Sequence, residues 1–198
     1  MLIRQFHKRN LPHLYYNEGI YFVTYRLYGS IPSDKLSNFK RLQRFNTDRG
    51  FKRYKEIIKA YDSLLDKPTN QIRYLKRPDV MQICKSTIHF YDGELYNIIC
   101  YCIMPNHIHF VFELLSENKT VGSIMGSIKK FSGKNSNILL KQTGPFWQAE
   151  SFDRLVRDDV ELYFTIKYAL LNPVNAGLVK DWKNWEGTYC PEMYQVID

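Results

Sequence analysis

Two histidines, His107 and His109, stand two residues apart in the apolar run from Cys100 to Glu113. In an extended strand successive side chains alternate between faces, so both imidazoles point one way while Ile108, Phe110 and Phe112 point the other. Two neutral imidazoles side by side can share one divalent ion, and a third ligand from elsewhere in the chain would still leave coordination positions open for a substrate. The same spacing fits two hydrogen-bonded core histidines, and the pair alone does not choose between them.

A second pair lies near the C-terminus. Tyr168 and Asn172 are four residues apart in the stretch from Leu162 to Val179, which puts a phenol and an amide on one helix face, one turn apart. Pro173 disfavours helical geometry at the residue before it, so the helix is expected to end at Asn172 and free the amide to reach a metal or a backbone group. Spacing is equally met by a core tyrosine followed by an asparagine cap.

The elements that must position these groups follow from pattern. Residues 19–28 are rich in β-branched and aromatic side chains and stop at Gly29, as a first strand does. Ser33 after Pro32 caps an expected helix with Leu36, Phe39, Leu42 and Phe45 at helical spacing. A second helix is expected over 51–65, with Tyr54, Ile57, Ile58, Tyr61 and Leu65 on one face, and a third over 79–90. Strands at 95–104 and 107–115 follow, then a helix from 118–120 toward Leu140, an aromatic turn at 144–148, a short strand at 152–156 and a last helix capped by Asp158 and Asp159. Strands and helices without regular βαβ alternation predict an α+β layer with a mainly antiparallel sheet covered by helices.

The chain has 198 residues, 44% of them hydrophobic, enough for one well-buried domain. It is therefore expected to be a single domain over 1–198, with a basic helical insertion after the first strand at about 33–92. No run of eighteen apolar residues occurs and the first residues lack a leader pattern, so no membrane association and a cytoplasmic location are expected. The four cysteines, Cys84, Cys100, Cys102 and Cys190, form no Cys-x-x-Cys pair and are expected as free thiols. Between Ser33 and Pro78 there are thirteen Lys and Arg against five Asp and Glu, which accounts for the whole formal charge of +8. Cations interleaved with Phe39, Phe45, Phe51, Tyr54, Tyr61 and Tyr74 suit a polyanion with exposed bases. A solvated helical face with an aromatic core side would look the same, and the two readings are compatible.

Taken together, four blocks carry a resemblance: 104–111 around the histidines, Phe146-Trp147-Gln148, 152–157, and 168–177 with its Asn-Pro-Val. Their order is similar to that of single-tyrosine transposases of the HUH endonuclease superfamily, and most like the REP-associated tyrosine transposases. The blocks span roughly 95–179. The resemblance implies a ferredoxin-like or RRM-like core sheet with His107 and His109 on a central strand. It also implies that Tyr168 is the nucleophile, that Asn172 is the third metal ligand, and that the cofactor is a divalent ion, Mg²⁺ or Mn²⁺. The resemblance implies that some relatives carry their tyrosine where Phe131 stands here, which adds weight to Tyr168; Tyr163 is the next suspect.

The activity so implied is transposition: metal-dependent cutting of single-stranded DNA beside a hairpin, at a repeat or transposon end, followed by strand transfer. A tyrosine hydroxyl displacing the 3′ oxygen conserves the bond energy as a 5′-phosphotyrosine link. Lys129, Lys130, Lys134, Arg154, Arg157 and Lys167 are the candidate DNA-backbone contacts, and the insertion is the candidate hairpin clamp. No ATP loop is present. Such a unit would act as a monomer or a homodimer. Two alternatives remain at this point: a non-catalytic hairpin- or repeat-binding module descended from such an enzyme, and a metal-dependent phosphodiesterase that uses water.

Overall fold

The computed structural model describes residues 19–32, 50–66 and 71–195, together with Lys35 and the backbone of two short paired strands, β1 (Gln5–Lys8) and β2 (Pro12–Tyr15). The helix expected from Ser33 lies outside the described residues, apart from Lys35. The other elements are β3 (Gly19–Arg26), α1 (Phe51–Leu65), α2 (Pro78–His89), β4 (Tyr96–Ile103), β5 (His107–Leu114), α3 (Val121–Leu140), β6 (Phe152–Leu155), α4 (Asp159–Asn175) and β7 (Thr188–Tyr189). The chain is α+β, with these four helices on a five-stranded antiparallel sheet of order β6-β3-β5-β4-β7.

Leaving out the short edge strand β7, the order from first to last strand is 4-1-3-2, that of a ferredoxin-like core. β5 lies in the middle, with His109 opposite Thr24 of β3 and Cys102 of β4. Both faces of the sheet are covered. α2 and α3 cover one, where Tyr21, Val23, Tyr25, Ile108, Phe110 and Phe112 pack with Val80, Cys84, Ile124 and Ile128. α1 and α4 cover the other, where Phe22, Cys100 and Val111 meet Ile58, Tyr61, Ile166 and Ala169. Among the described residues the basic stretch at 33–92 thus supplies one helix to each face.

Local chemistry explains most boundaries. The Thr120 hydroxyl accepts from the Ser123 amide at 3.1 Å and starts α3, and Asp158 accepts from the Glu161 amide at 2.8 Å and starts α4; each satisfies a donor that the first turn leaves free. α4 does not end at Asn172 as Pro173 predicts, because it runs on to Asn175. In the last turn a proline forfeits one amide donor, and the turn still closes through the Ala176 amide on the Asn172 carbonyl and the Leu178 amide on the Pro173 carbonyl, both at 2.9 Å. Asn172 therefore sits inside the helix with its side chain buried. β7 was not foreseen, since two residues leave no periodicity. It is seated by Gly187, whose carbonyl accepts from the Ile103 amide at 2.8 Å and where a Cβ would lie 2.3 Å from the Ile103 oxygen.

Candidate metal and nucleophile site

The face of β5 under α1 and α4 carries His107 and His109, both fully buried. Their Nε2 atoms face each other at 3.1 Å. The tautomer of His107 is fixed by its neighbours. Asn106 uses its amide nitrogen to donate to the Leu65 carbonyl at 2.8 Å, so its oxygen, 2.7 Å from His107 Nδ1, accepts a hydrogen bond from that ring nitrogen. His107 Nε2 is thereby left as a lone pair aimed at His109 Nε2. His109 Nδ1 is held by the Thr24 hydroxyl at 2.8 Å. These outer contacts orient imidazoles as metal sites require.

Three further groups converge from the helices. Asp62 of α1 places Oδ2 3.2 Å from His109 Nε2, 2.5 Å from the Tyr168 hydroxyl, which donates to it, and 3.2 Å from the amide nitrogen of Asn172, which also donates. The Tyr168 ring lies 5.7 Å from that of His109, so the tyrosine face of the last helix does pack against the histidine strand. Phe22 fixes both rings, stacked on His109 at 5.5 Å and edge-on to Tyr168 at 6.3 Å.

Charge in this cluster is arranged around Asp62. Burial drives the His107 imidazole down to about 3, with His109 adding to the effect, so at neutral pH it is in the neutral form that binds metal. Burial alone would raise the Asp62 carboxyl, but the charge and hydrogen bond of His109, then His107 and the Tyr168 hydroxyl, outweigh it and hold the group below its ordinary value. The Tyr168 phenol is pushed far up by burial first, then by the Asp62 charge and the hydrogen bond to Asp62. Asp66, one turn on from Asp62, rises to about 7 through burial and the Asp62 charge.

The cluster fits a divalent cation on the chemistry of its own atoms. Asp62, His107 and His109 each offer a ligand atom, all within 4.8 Å of one another. Two buried oxygens beside them, Asp62 Oδ1 and Asn172 Oδ1, have no hydrogen-bond partner. Buried acceptors without a donor are costly, by about 1–3 kcal/mol each, and a cation held at Asp62, His107 and His109 would offset the carboxylate and separate the facing imidazole nitrogens. Nitrogen and oxygen donors in this mixture suit Mn²⁺, Mg²⁺ or Zn²⁺.

The residues singled out in the sequence do not all meet here. His107, His109, Tyr168 and Asn172 come together, and Lys167 lines a cleft of about 590 Å³ between α1 and α4 whose wall includes Asp62, Tyr168 and Asn172. Arg154 is spent internally: it pairs with Glu161 and lies 4.3 Å over the Tyr54 ring. Arg157 is exposed before α4. Lys129, Lys130 and Lys134 belong to α3 on the opposite side of the sheet, and Lys129 donates to the Gln148 and Ala149 carbonyls at 3.0 and 3.1 Å. Phe131 is on that helix as well, 60% exposed, and Tyr163 points to solvent at 47%. Asp62 was missed. Its only trace in the sequence is a carboxylate at the edge of the apolar face of a helix whose surroundings are basic.

Comparison with known proteins bears on the fold. No family model matches the chain. A protein of Haemophilus influenzae (strain ATCC 51907 / DSM 11121 / KW20 / Rd) named "Putative REP-associated tyrosine transposase" is 27% identical over 110 residues, which is 51% of this chain and 61% of that protein. A solved REP-associated tyrosine transposase bound to a REP hairpin superposes with a TM-score of 0.54 over 86% of this chain and 75% of that one, at 16% identity. The chain resembles REP-associated tyrosine transposases. The structural match establishes the fold of that group, and the sequence match reaches less than two thirds of the length of the curated relative. A likeness to these transposases and a buried His-His-Asp cluster thus occur in one chain. Among the described residues no helix is long and apolar enough to cross a membrane.

Proposed function

We propose that this protein cuts and rejoins single-stranded DNA beside a hairpin, with Tyr168 as nucleophile and a divalent cation, Mg²⁺ or Mn²⁺, held by His107, His109, Asp62 and Asn172. The observation that carries the reading is the convergence of a phenol, two imidazoles and two unpartnered oxygens at one buried point. Compared with the ligand set implied by the family resemblance, Asp62 is added and comes from the basic stretch.

In the reaction so proposed, Tyr168 Oη attacks phosphorus, the bond from phosphorus to the 3′ oxygen breaks, and the products are a 5′-phosphotyrosine and a free 3′ hydroxyl. The hydroxyl later attacks the link and returns the phenol. Asp62 Oδ2, which accepts the phenol's hydrogen bond, is the atom placed to receive the Oη proton. Bound at the cluster, the cation supplies charge that offsets the phosphate oxygens and the Asp62 carboxylate. Asn106 and Thr24 hold the imidazoles in place, and Phe22 and Phe164 keep the Tyr168 ring packed at its edge and face. The hairpin partner follows from the relative solved with one.

The test is to mix the protein with labelled single-stranded hairpin DNA and Mg²⁺ or Mn²⁺ and look for an adduct that survives denaturation. Wild type should form it and Tyr168→Phe should not. An undiminished adduct in Tyr168→Phe refutes the nucleophile, and hairpin binding without any adduct in wild type selects the non-catalytic binding module instead.

A further inference from the structure

The cleft beside Tyr168 has two walls of different origin. Phe51 of α1 meets Phe164 of α4 at 5.2 Å between ring centroids, and further along the same two helices Asp62 meets Tyr168 and Asn172. The helices therefore run side by side in the same direction. On α1, Lys59, Asp62 and Ser63, with Asp66 capping its end, face the cleft; on α4, Lys167, Tyr168, Asn172 and Asn175 are among those that do. Spacings of three and four residues place Lys59, Asp62, Ser63 and Asp66 on one face, as they do Tyr168, Asn172 and Asn175, with Lys167 at the flank of the second set.

Charge divides this cleft along its length. Lys59 lies one turn before Asp62, and Lys167 immediately precedes Tyr168, so the two ammonium groups occupy opposite walls at the level where the phenol begins. Asp62 is turned inward to His109 and Tyr168, and Asp66 is a full turn beyond it. Lys59 is exposed and among the described residues has no hydrogen-bond, ion-pair or electrostatic partner. Among the described residues Lys167 has only the Tyr163 ring, 5.7 Å from its Nζ. Upstream on the same face of α1, Lys55 lies 4.7 Å over Phe51 and 5.2 Å over Phe164, a cation held against two rings. A cleft of about 590 Å³ is within the roughly 300–1,000 Å³ range of sites for small organic groups.

Resting on the DNA-cutting reading above, we infer that Lys59 and Lys167 form a phosphate clamp at the mouth of this cleft, gripping the sugar-phosphate backbone of one DNA strand from both walls. Lys59 is thereby a substrate-binding residue contributed by the basic stretch. The two helices already meet at Phe51 and Phe164, and a clamp between such closely packed walls would take unpaired DNA and leave a duplex stem outside. The ligand is recognised by its charge and backbone, and each ammonium replaces condensed counterions on one phosphate.

The measurement is fluorescence anisotropy of labelled single-stranded oligothymidylate over a salt series, made in the Tyr168→Phe protein so that no covalent step intrudes. Lys59→Ala and Lys167→Ala should each weaken binding at least about fivefold at low salt and reduce the slope of log affinity against log salt by about 0.7, the loss of one single-strand phosphate contact. Lys59→Arg should restore affinity, Lys119→Ala should leave it unchanged, and Mn²⁺ binding and far-ultraviolet circular dichroism should match the parent in all variants. Parental affinity and slope in both alanine variants overturn the clamp, as do loss of Mn²⁺ binding in Lys59→Ala or absence of any oligothymidylate binding by the parent. The two readings fail separately. If wild type forms no adduct while the clamp variants still lose slope, the cutting reading falls and the clamp stands; if the adduct forms and the slopes are unchanged, the clamp alone is wrong.

Discussion

The two faces of the sheet solve opposite problems with the same strand. β5 sends Ile108, Phe110 and Phe112 into an apolar layer under α2 and α3, and sends His107 and His109 into a polar cluster under α1 and α4. All five side chains are fully buried. The first face removes hydrocarbon from water at about 25 cal/mol per Å² and leaves nothing unpaired among its aliphatic and aromatic groups. The second buries a carboxylate, two imidazoles, a phenol and an amide, and leaves Asp62 Oδ1 and Asn172 Oδ1 without partners. The apolar face supports a rigid platform on which the polar face can hold a costly arrangement.

The contrast breaks most visibly at Phe110. It is fully buried, packs edge-on to Tyr96 at 5.3 Å and lies 4.6 Å from Phe112, so Phe110→Ala should cost about 3–5 kcal/mol of unfolding free energy. Urea denaturation of the ion-free protein measures it. A cost below about 1 kcal/mol would mean that the apolar face is not what stabilises the sheet.

Asp62→Asn probes the other face with little change in volume. It removes the charge on which His109 and Tyr168 converge, and it should lower Mn²⁺ affinity by more than the roughly 10–100-fold typical of losing an outer partner of a metal ligand. The ion-free unfolding midpoint should move far less than for Phe110→Ala. Unchanged Mn²⁺ affinity, measured by calorimetry, would remove Asp62 from the ligand set.

How far each face could be read from sequence follows from the same contrast. The apolar face announces itself, because alternation in β5 and helical spacing in α2 and α3 record burial directly. On the polar face, His107 with His109 and Tyr168 with Asn172 are pairs whose spacing within one element puts them on one side, and so they are legible. Asp62 is not, because its partners are forty-five or more residues away and a carboxylate in a basic helix reads as solvated. Pro173 misled for a related reason: it forfeits a single amide bond, a loss that the turn beyond it, closed by the Ala176 and Leu178 amides, and the tertiary packing of α4 outweigh. Lys129, Lys130 and Lys134 were grouped with the site by charge, which carries no record of which side of the sheet a helix covers.

Asp66 sharpens the comparison through pH. Burial and the Asp62 charge raise its carboxyl from 3.8 to about 7, so the folded state holds this proton where the unfolded chain has released it. Its contribution is fully present below about pH 4 and is lost as the pH rises toward 7. Asp66→Asn cannot ionise, so relative to wild type it should gain stability between pH 4 and pH 8 in ion-free denaturation series. A difference independent of pH would show that Asp66 titrates normally and that Asp62 and Asp66 do not interact.

The smallest effect is expected at Lys130, on the solvent side of the apolar face. It is exposed on α3, a helix without a single Asp or Glu among its twenty residues, so it has no ion pair within its own helix to lose. Lys130→Ala should change unfolding free energy by no more than about 0.5 kcal/mol, the range of ordinary surface positions, and alanine's higher helix propensity works slightly in its favour. Its distance from the cluster makes it the control for DNA as well. Since the whole sheet separates α3 from Tyr168, Lys130→Ala should leave the adduct yield on an unstructured single strand unchanged, even if contact with a hairpin stem is lost. A fall in that yield equal to the fall for Lys167→Ala would mean that both faces grip the same strand, and the division of labour between them would have to be redrawn.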